Sequence, residues 1–337
     1  MRDEQKNPSF VGSLAGETKE GFDDTAALPE RLSRYAGAHR RALDMADYIK
    51  SLGSDKNNLA LVSLLKCCGS YLLFRDYFNI GKILLSAMHT CKKHMLCPLC
   101  AMRRGAKMLK AYLDRLEVIK ASNPGLKAFL VTLTVKDGDD LLERFNHLHS
   151  SVQTLNDRRR NALRVRNPGT PVEFNKALGA VGSYEFKKGS GSGLWHPHFH
   201  AVWLCHDDPD QDQLSREWRE ITGDSFIVNV TPFHDQNDVV GGFLEVFKYA
   251  LKFSDMPLDQ NWHGFQTLSG KRLVTSFGLF RGVVVPESMT DDLLDDEPYV
   301  ELFYRYINGT GYNLVKASQP MIKPPPARKN PLFIPTF

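Results

Sequence analysis

"AVGSYEFKKGSGSGLWHPHFHAVWL", residues 180–204, contains two apolar and aromatic runs joined by a glycine- and serine-rich connection. The connection is centred near Gly191 and Ser192, so the two runs are predicted to pair as an antiparallel hairpin. The second run carries histidine at every second position, 196, 198 and 200. Residues two apart in a strand share a face, so the pattern indicates a strand with a histidine-bearing face.

Pairing the hairpin symmetrically about its centre sets Glu185 opposite His198. Directly opposed residues project from the same face, so we expect Glu185, His198 and His200 to converge. Two imidazoles and a carboxylate that leave positions open for water and substrate suit a catalytic divalent ion: manganese, magnesium or zinc. His196 lies nearer the turn, and whether it is a ligand stays open. The alternative is a row of hydrogen-bonded surface histidines on an edge strand.

A candidate nucleophile lies on a helix predicted over residues 239–253. At about 100° per residue, one stripe of this helix is polar: Glu245, Lys248, Tyr249 and Lys252. Glu245 and Tyr249 are one turn apart and therefore neighbours. Lysines beside a tyrosine favour loss of its proton and can hold a phosphate against it. Next to a metal site Tyr249 becomes a candidate nucleophile, whereas alone the stripe would indicate an ordinary amphipathic helix.

The segment "CKKHMLCPLC", residues 91–100, predicts a structural zinc site. Its candidate ligands each lie three residues from the next: Cys91, His94, Cys97 and Cys100. A Cys3His set completes tetrahedral coordination and leaves no open position, so this zinc would order the segment rather than catalyse. The three remaining cysteines lie in apolar surroundings and are expected to be buried packing residues: Cys67, Cys68 and Cys205.

The chain has 337 residues, of which 42 % are hydrophobic, enough for a sizeable core and two structural units. The N-terminal segment "MRDEQKNPSF" lacks a signal peptide, and no run reaches membrane-spanning length, so a cytoplasmic protein is expected. Six cysteines without an export signal favour metal ligation over disulfides.

Basic residues are clustered, although the formal net charge of +4 is too small to identify a partner by itself. Such clusters suit a surface that meets DNA phosphates, but a basic run is as often a solvated helix face. The candidate DNA contacts are Arg103, Arg104, Lys107, Arg158, Arg159, Lys187 and Lys188.

Hydrophobic periodicity predicts an α+β chain of four segments. Helices are expected within 31–68, 103–120 and 141–155, and strands on either side of Asn79–Gly81 and at 127–135, 177–186, 196–204 and 226–233. The predicted segments are a disordered N-terminal tail (1–30), an N-terminal subdomain with the zinc site (31–122), a catalytic domain (123–285), and an acidic segment with a proline-rich C-terminal tail (286–337).

Taken together, these motifs resemble the rolling-circle replication initiators of small plasmids, single-tyrosine members of the HUH (His-hydrophobic-His) endonucleases. The matching segments stand in the family's order: "CPLC" followed by "RR", "FLVTLTV", "HPHFH", "ITGDSFIVNV", "EVFKYALK" and "LSGKRLVTSFGLFRG". The most specific are the HUH strand and the Glu-x-x-x-Tyr-x-x-Lys helix, and the resemblance spans roughly residues 31–285.

The resemblance implies an HUH endonuclease fold, in which a five-stranded antiparallel sheet with a central HUH strand is flanked by helices. It implies metal-dependent nicking, with Mn²⁺ or Mg²⁺, of one strand at a plasmid double-strand origin. Tyr249 would attack the scissile phosphate, become linked to the 5′ end and release a 3′-hydroxyl primer. Glu245 would activate water in the terminating cleavage, and Lys248 and Lys252 would contact phosphates. The implied partners are origin DNA, single-stranded at the nick site, and a host helicase with the replication machinery, but no membrane.

Three other functions are compatible with parts of this pattern. An HUH transposase would use the same chemistry. A relaxase fits less well, because relaxases have their tyrosines before the histidine motif and Tyr249 follows it. A non-catalytic, zinc-stabilised DNA-binding regulator would account for the cysteines and the basic clusters, but not for the joint placement of Glu185, the histidines and Tyr249.

Tyr304 and Tyr306 are rival nucleophiles outside any metal-facing pattern.

Overall fold

The computed structural model describes residues 9–10, 12–17, 19, 21–53, 55–164, 172–189 and 191–321. Within these residues the chain forms two units. The N/C unit contains the described residues up to Ala106 and those from Glu287 onward, and the central unit is Lys107–Pro286. The predicted proline-rich tail lies outside the described residues. No helix in the described part of the chain has the length and apolar character needed to cross a membrane.

Helices and antiparallel strands make up both units, which confirms the predicted α+β class. The helices are α1 (Ser13–Glu17), α2 (Leu28–Leu52), α3 (Lys56–Cys67), α4 (Pro98–Ser122), α5 (Leu141–Arg164), α6 (Gln211–Thr222), α7 (Gln236–Phe247), α8 (Tyr249–Asp255) and α9 (Leu258–Leu268). The strands are β1 (Tyr71–Tyr77), β2 (Lys82–Met88), β3 (Lys127–Thr134), β4 (Ala177–Lys188), β5 (Trp195–Cys205), β6 (Val228–Pro232), β7 (Val274–Gly278), β8 (Val300–Ile307) and β9 (Gly311–Ala317).

The central unit is built on a sheet with the strand order β6-β3-β5-β4-β7, in which all neighbours are antiparallel. The histidine strand β5 lies in the middle. Its pairing with β4 sets Glu185 opposite His198, which confirms the register predicted from the glycine- and serine-rich connection. Strand β7 and helix α9 have no counterpart among the elements predicted from periodicity.

The two faces of this sheet differ in chemistry because side chains alternate along each strand. One face is apolar: Tyr184 and Phe199 are opposed across β4 and β5, and Phe145 of α5 packs on Tyr184 with 5.8 Å between ring centroids. Each of these buried aromatic rings stabilises the fold by roughly 2–3 kcal/mol through loss of apolar surface from water. The opposite face carries the histidines and Glu185, and α7 and α8 contact the strands that bear them.

The N/C unit contains a second antiparallel sheet with the order β2-β1-β8-β9. Strands β1 and β2 flank Asn79–Gly81 as predicted. Strands β8 and β9 lie in the segment 286–337, for which no fold was predicted, and β8 pairs with β1. The expectation of a disordered tail over 1–30 is wrong for its described part, because α1 forms there and α2 begins at Leu28. The N/C unit ends at Ala106, whereas the predicted N-terminal subdomain extended to residue 122.

A buried network of charges ties both ends of the N/C unit together. Arg31 Nη2 donates to Asp291 Oδ2 at 2.6 Å, and Arg103 donates to the same carboxylate and to Glu17 Oε2 at 2.9 Å. The Tyr35 hydroxyl donates to Glu17 at 3.0 Å. Arg103 is only 3 % exposed. The prediction that Arg103 contacts DNA is therefore wrong, because its buried guanidinium pairs with the carboxylates of Glu17 and Asp291.

Replacing Asp291 is expected to destabilise the protein strongly. Burial raises the pKa of Asp291, but Arg103 and Arg31 outweigh burial and the pKa lies below its usual value. Asp291→Asn leaves two buried guanidinium groups without this counter-charge, which costs about 3–5 kcal/mol of unfolding free energy near pH 7. Because the folded-state pKa is lowered, the contribution is present above about pH 4 and is lost as the pH falls through the folded-state pKa.

Urea unfolding followed by circular dichroism at pH 7 and at pH 3 checks this prediction. Asp295→Asn is the matched control, since Asp295 belongs to the same acidic run but is exposed. A destabilisation of Asp291→Asn no larger than that of the control, or one that grows in acid, would contradict the role given to this network.

Candidate active site and cysteine cluster

Each histidine on the polar face of β5 is held by an oxygen from the neighbouring strand β3 or the loop after it. Nδ1 is the bonded nitrogen in all three: His200 with Thr132 Oγ1 at 3.0 Å, His198 with Thr134 Oγ1 at 3.0 Å, and His196 with Asp137 Oδ1. In the tautomer with the proton on Nδ1, the ring donates this bond and Nε2 keeps the lone pair that a metal requires. The two threonines were not predicted as site residues, although they stand two apart on β3, as the histidines do on β5.

One histidine, His200, lies close to two carboxylates. Its Nε2 is 3.2 Å from Glu185 Oε2 and 4.0 Å from Glu245 Oε1, and the three potential ligand atoms lie within 4.8 Å of one another. His198 lies beside this group, with its ring centroid 5.5 Å from that of His200. The group therefore differs from the predicted ligand set in two ways: it includes Glu245, which was predicted only to activate water, and it does not include His198.

Two lysines of the predicted polar stripe neutralise these carboxylates. Lys252 Nζ contacts Glu185 Oε2 and lies 3.0 Å from Glu245 Oε1, while Lys248 Nζ contacts Glu245 Oε2. Both lysines, which were predicted to contact phosphates, form ion pairs inside the site. The predicted stripe does bring Glu245, Lys248 and Lys252 together.

The charges of the site fix its protonation. Burial acts to raise the pKa of Glu185, but the hydrogen bond with His200 and the Lys252 ammonium lower it to about 2. At Glu245 burial again acts to raise the pKa, but Lys248 and Lys252 outweigh burial, so the pKa lies below its usual value. Burial, with the neighbouring imidazoles, lowers the pKa of His198 to about 4. Near pH 7 the carboxylates are ionised and His198 is neutral, which are the forms that bind metal ions.

Tyr249 is the first residue of α8 and directly follows Lys248, the residue that separates α7 from α8. The single helix predicted over 239–253 is wrong: α7 ends at Phe247, and Lys248 has φ −79° and ψ −1°. At the start of α8 the Lys248 carbonyl accepts a hydrogen bond from Leu251 N at 2.9 Å. Tyr249 is buried, with 8 % of its surface exposed.

Four cysteine sulfurs form a compact group in the N/C unit. The group contains Cys68, Cys91, Cys97 and Cys100. Cys68 Sγ lies 3.5 Å from the sulfurs of both Cys97 and Cys100, and Cys91 Sγ lies 3.6 Å from that of Cys100. Sulfurs at about 2.3 Å from a tetrahedral zinc ion would be about 3.8 Å apart, so the arrangement fits such an ion.

The cysteine cluster corrects two predictions. Cys68 provides the fourth sulfur, although it was expected to be a packing residue, and His94 does not belong to the group. Cys68 follows α3 and precedes β1, and only the folding of those elements brings it to the "CPLC" segment. Of the other two predicted packing cysteines, Cys205 is buried and Cys67 is exposed.

The other residues predicted to contact DNA are placed in different environments. Lys187 and Lys188 are exposed at the end of β4. Arg159 is buried and donates to the Ala177 carbonyl at 2.8 Å, and Lys107 is buried as well, so neither is a surface contact. The remaining two are partly exposed: Arg104, and Arg158, which pairs with Glu220 at 3.1 Å.

The rival tyrosines Tyr304 and Tyr306 lie on β8 of the N/C unit. The ring of Tyr306 packs against His39 with 4.2 Å between centroids. Tyr304 packs edge-on against Phe74, 6.0 Å away. Both rings therefore contribute to the packing of that unit's sheet.

Fold and site together define an α+β protein with a carboxylate–histidine group on one sheet face and a separate cluster of four cysteines. The family described as "Replication protein" matches residues 82–303, and the chain belongs to this family. The membership expected from the sequence motifs is confirmed.

Three relatives are each named "Protein rep". One from Bacillus sp is 30 % identical over 177 residues, covering 52 % of this chain and 53 % of the relative. One from Streptococcus pneumoniae serotype 2 (strain D39 / NCTC 7466) is 27 % identical over 235 residues, covering 65 % and 67 %. One from Bacillus amyloliquefaciens is 28 % identical over 185 residues, covering 53 % and 50 %. The chain thus spans about half the length of two of these relatives and about two thirds of the third. No solved structure matches the chain.

Proposed function

We propose that this protein initiates rolling-circle replication of a plasmid, in the cytoplasm, by nicking one strand of the origin in a metal-dependent reaction. The observation that carries the proposal is the group formed by Glu185, His200 and Glu245, within 4.8 Å of one another on a sheet face contacted by the helix pair that bears Tyr249. The HUH endonuclease fold is part of the proposal, supported by the antiparallel sheet with β5 at its centre. Membership of the replication proteins favours this role over transposition.

The donors of this group fit a divalent ion of the Mn²⁺ or Mg²⁺ type. Two ionised carboxylates provide hard oxygen ligands and His200 provides a borderline nitrogen ligand; His198, also tied through Nδ1, is the proposed further ligand. When bound, the ion supplies positive charge that polarises the scissile phosphate and offsets charge developing on it. The Thr132 and Thr134 hydroxyls orient the imidazoles for this task.

Tyr249 is the proposed nucleophile. Its phenolic oxygen loses a proton and forms a bond to phosphorus while the bond from phosphorus to the 3′ oxygen breaks. The 3′ oxygen gains a proton and becomes the primer hydroxyl, and the DNA 5′ end stays linked to the tyrosine. Lys248 and Lys252, which flank Tyr249 in sequence, favour the phenolate electrostatically. In the terminating cleavage Glu245 accepts a proton from water, which then attacks in place of a second tyrosine.

Loss of the phenolic oxygen should abolish nicking while binding persists. Tyr249→Phe is expected to slow cleavage of a labelled single-stranded origin oligonucleotide in Mn²⁺ by about three orders of magnitude or more, because no other group replaces the nucleophile. Glu245→Ala removes a proposed metal ligand as well as the water-activating carboxylate, so in saturating Mn²⁺ it should form the covalent adduct at a reduced rate and fail to release it by hydrolysis.

Tyr304→Phe is the matched control and should cleave at the normal rate. Mass spectrometry of the peptide that carries a nucleotide after cleavage identifies the attacking residue. A nucleotide found on Tyr304 or Tyr306, or an adduct that persists in Tyr249→Phe, would contradict the assignment.

Lys252 is proposed to compete with the metal ion for the carboxylates. Its ammonium contacts both Glu185 and Glu245, so a bound ion would have to displace it or tolerate its charge. Two unit charges 4 Å apart interact by about 4 kcal/mol at the effective dielectric constant near a protein surface. Lys252→Met is therefore expected to tighten Mn²⁺ binding at least about tenfold, even if it impairs nicking.

Isothermal titration of the DNA-free protein with Mn²⁺ measures this effect without reference to activity. Lys248→Met is the matched control, because Lys248 pairs with Glu245, whereas Lys252 contacts both carboxylates. We expect a smaller gain in that variant. Unchanged or weaker Mn²⁺ affinity in Lys252→Met would show that Lys252 does not occupy the ion's place.

Structural zinc is proposed for the four-cysteine group. Zinc content measured by mass spectrometry should be one ion per chain, and it should fall to near zero in Cys68→Ser, because a neutral hydroxyl is a poor ligand in place of a thiolate. His94→Ala should keep its zinc, and it is the matched control because His94 was the fourth ligand expected from spacing. Zinc lost from His94→Ala and retained in Cys68→Ser would restore the Cys3His set.

A further inference from the structure

The sheet of the N/C unit has one face that carries aromatic rings and cations together. Strand β1 pairs with β8 so that Tyr71 is opposed by Arg305, and β8 pairs with β9 so that Phe303 is opposed by Lys316. Opposed residues project from the same face, so each aromatic ring has a cationic cross-strand neighbour. Leu73 of β1 is the residue opposite Phe303 and therefore lies on the same face.

The aromatic rings on this face are already stacked on one another. Tyr71 and Phe303 lie with centroids 5.7 Å apart and planes at 30°, and His89 meets the Tyr71 ring edge-on at 4.8 Å. His89, Arg305 and Lys316 are exposed, while Tyr71 and Phe303 are half-buried. The opposite face of the same sheet is core, since Leu72 and Phe74 are fully buried.

We infer that this face, the stacking face (Tyr71, His89, Phe303, Arg305 and Lys316), binds single-stranded DNA. Bases of an unpaired strand present flat π surfaces that stack on aromatic side chains, and the phosphates between them are attracted to neighbouring cations. In a duplex the base surfaces are already stacked on one another, so a duplex could contact only the cations of this face. The alternation of rings and positive charges across three strands therefore fits an unpaired strand better than a duplex.

This binding activity goes beyond the proposed nicking and does not depend on it. The residues of the stacking face belong to β1, β8 and β9 of the N/C unit, with His89 directly after β2, whereas the carboxylate–histidine group belongs to the central unit. No metal is required for stacking. A replication protein that holds an unpaired strand at a second place would retain its DNA after the nick.

Fluorescence anisotropy with a fluorescein-labelled oligothymidine of fifteen nucleotides tests the inference. The full chain carries Tyr249→Phe and no divalent metal or chelator is added, so that cleavage does not contribute and the zinc proposed for the four-cysteine group is not removed. Phe303→Leu, which keeps an apolar side chain but removes the ring, is expected to weaken binding at least about fivefold. Phe303→Tyr, which keeps a ring, should bind within about twofold of the parent.

Charge reversal tests the cations separately. In the double variant Arg305→Glu and Lys316→Glu, the slope of log affinity against log salt concentration should fall by about 1.4, since each phosphate contact to a single strand contributes about 0.7. Lys56→Glu is the matched control, an exposed lysine at the start of α3 in the same unit, and its slope should not change. A duplex of the same length should be insensitive to Phe303→Leu.

Two outcomes would overturn the inference. One is equal affinity in Phe303→Leu and Phe303→Tyr together with an unchanged salt slope in the charge-reversal variant, with thermal unfolding showing that all variants are folded. The other is ultraviolet crosslinking of 5-iododeoxyuridine oligonucleotides exclusively to peptides that lack Tyr71 and Phe303. Crosslinks to either residue support the inference. It is also supported if Phe303→Leu, which lacks the ring, binds single strand and duplex with equal affinity.

Discussion

The pairing register of β4 and β5 is the constraint on which the central unit depends. Side chains alternate with a period of two, so a slip by one residue would carry every histidine to the opposite face. The aromatic rings of Tyr184 and Phe199 oppose such a slip, since their burial against α5 holds the apolar face in place. The same packing therefore fixes Glu185 opposite His198. Core packing and site geometry are set by one register.

The parts of this site that could be predicted from sequence are those that depend on local geometry. Alternation predicts which residues of a strand share a face, and a short connection predicts the register of a hairpin; Glu185 opposite His198 follows from these two rules alone. Thr132 and Thr134 could not be assigned in this way, because β3 is far from β5 in sequence and their pairing is a long-range choice. The break at Lys248 also escaped prediction, since the apolar periodicity continues across it.

Long-range contacts account for the other corrections. Cys68 joins the cysteine cluster across an intervening hairpin, whereas spacing rules consider only neighbours such as His94. Arg103 stands in a basic run and is nevertheless buried, because Glu17 and Asp291 supply carboxylates from the two distant ends of the unit. A basic run in a sequence specifies charge, but whether that charge meets DNA or a buried carboxylate is decided by the fold.

The electrostatics of the site bear on when it can act. Glu185 and Glu245 carry two negative charges, and Lys248 and Lys252 carry two positive charges, so the charges of these four groups sum to zero. A divalent ion would add two positive charges, which a phosphodiester and a tyrosinate together would balance. The site with its ion would then be neutral only when the phosphodiester and the tyrosinate are both present. Such an arrangement of oriented charges stabilises the transition state, in which both anions take part, more than it stabilises either anion alone. On the proposed function, the lysines would then let the metal ion and the DNA strand stabilise each other's binding.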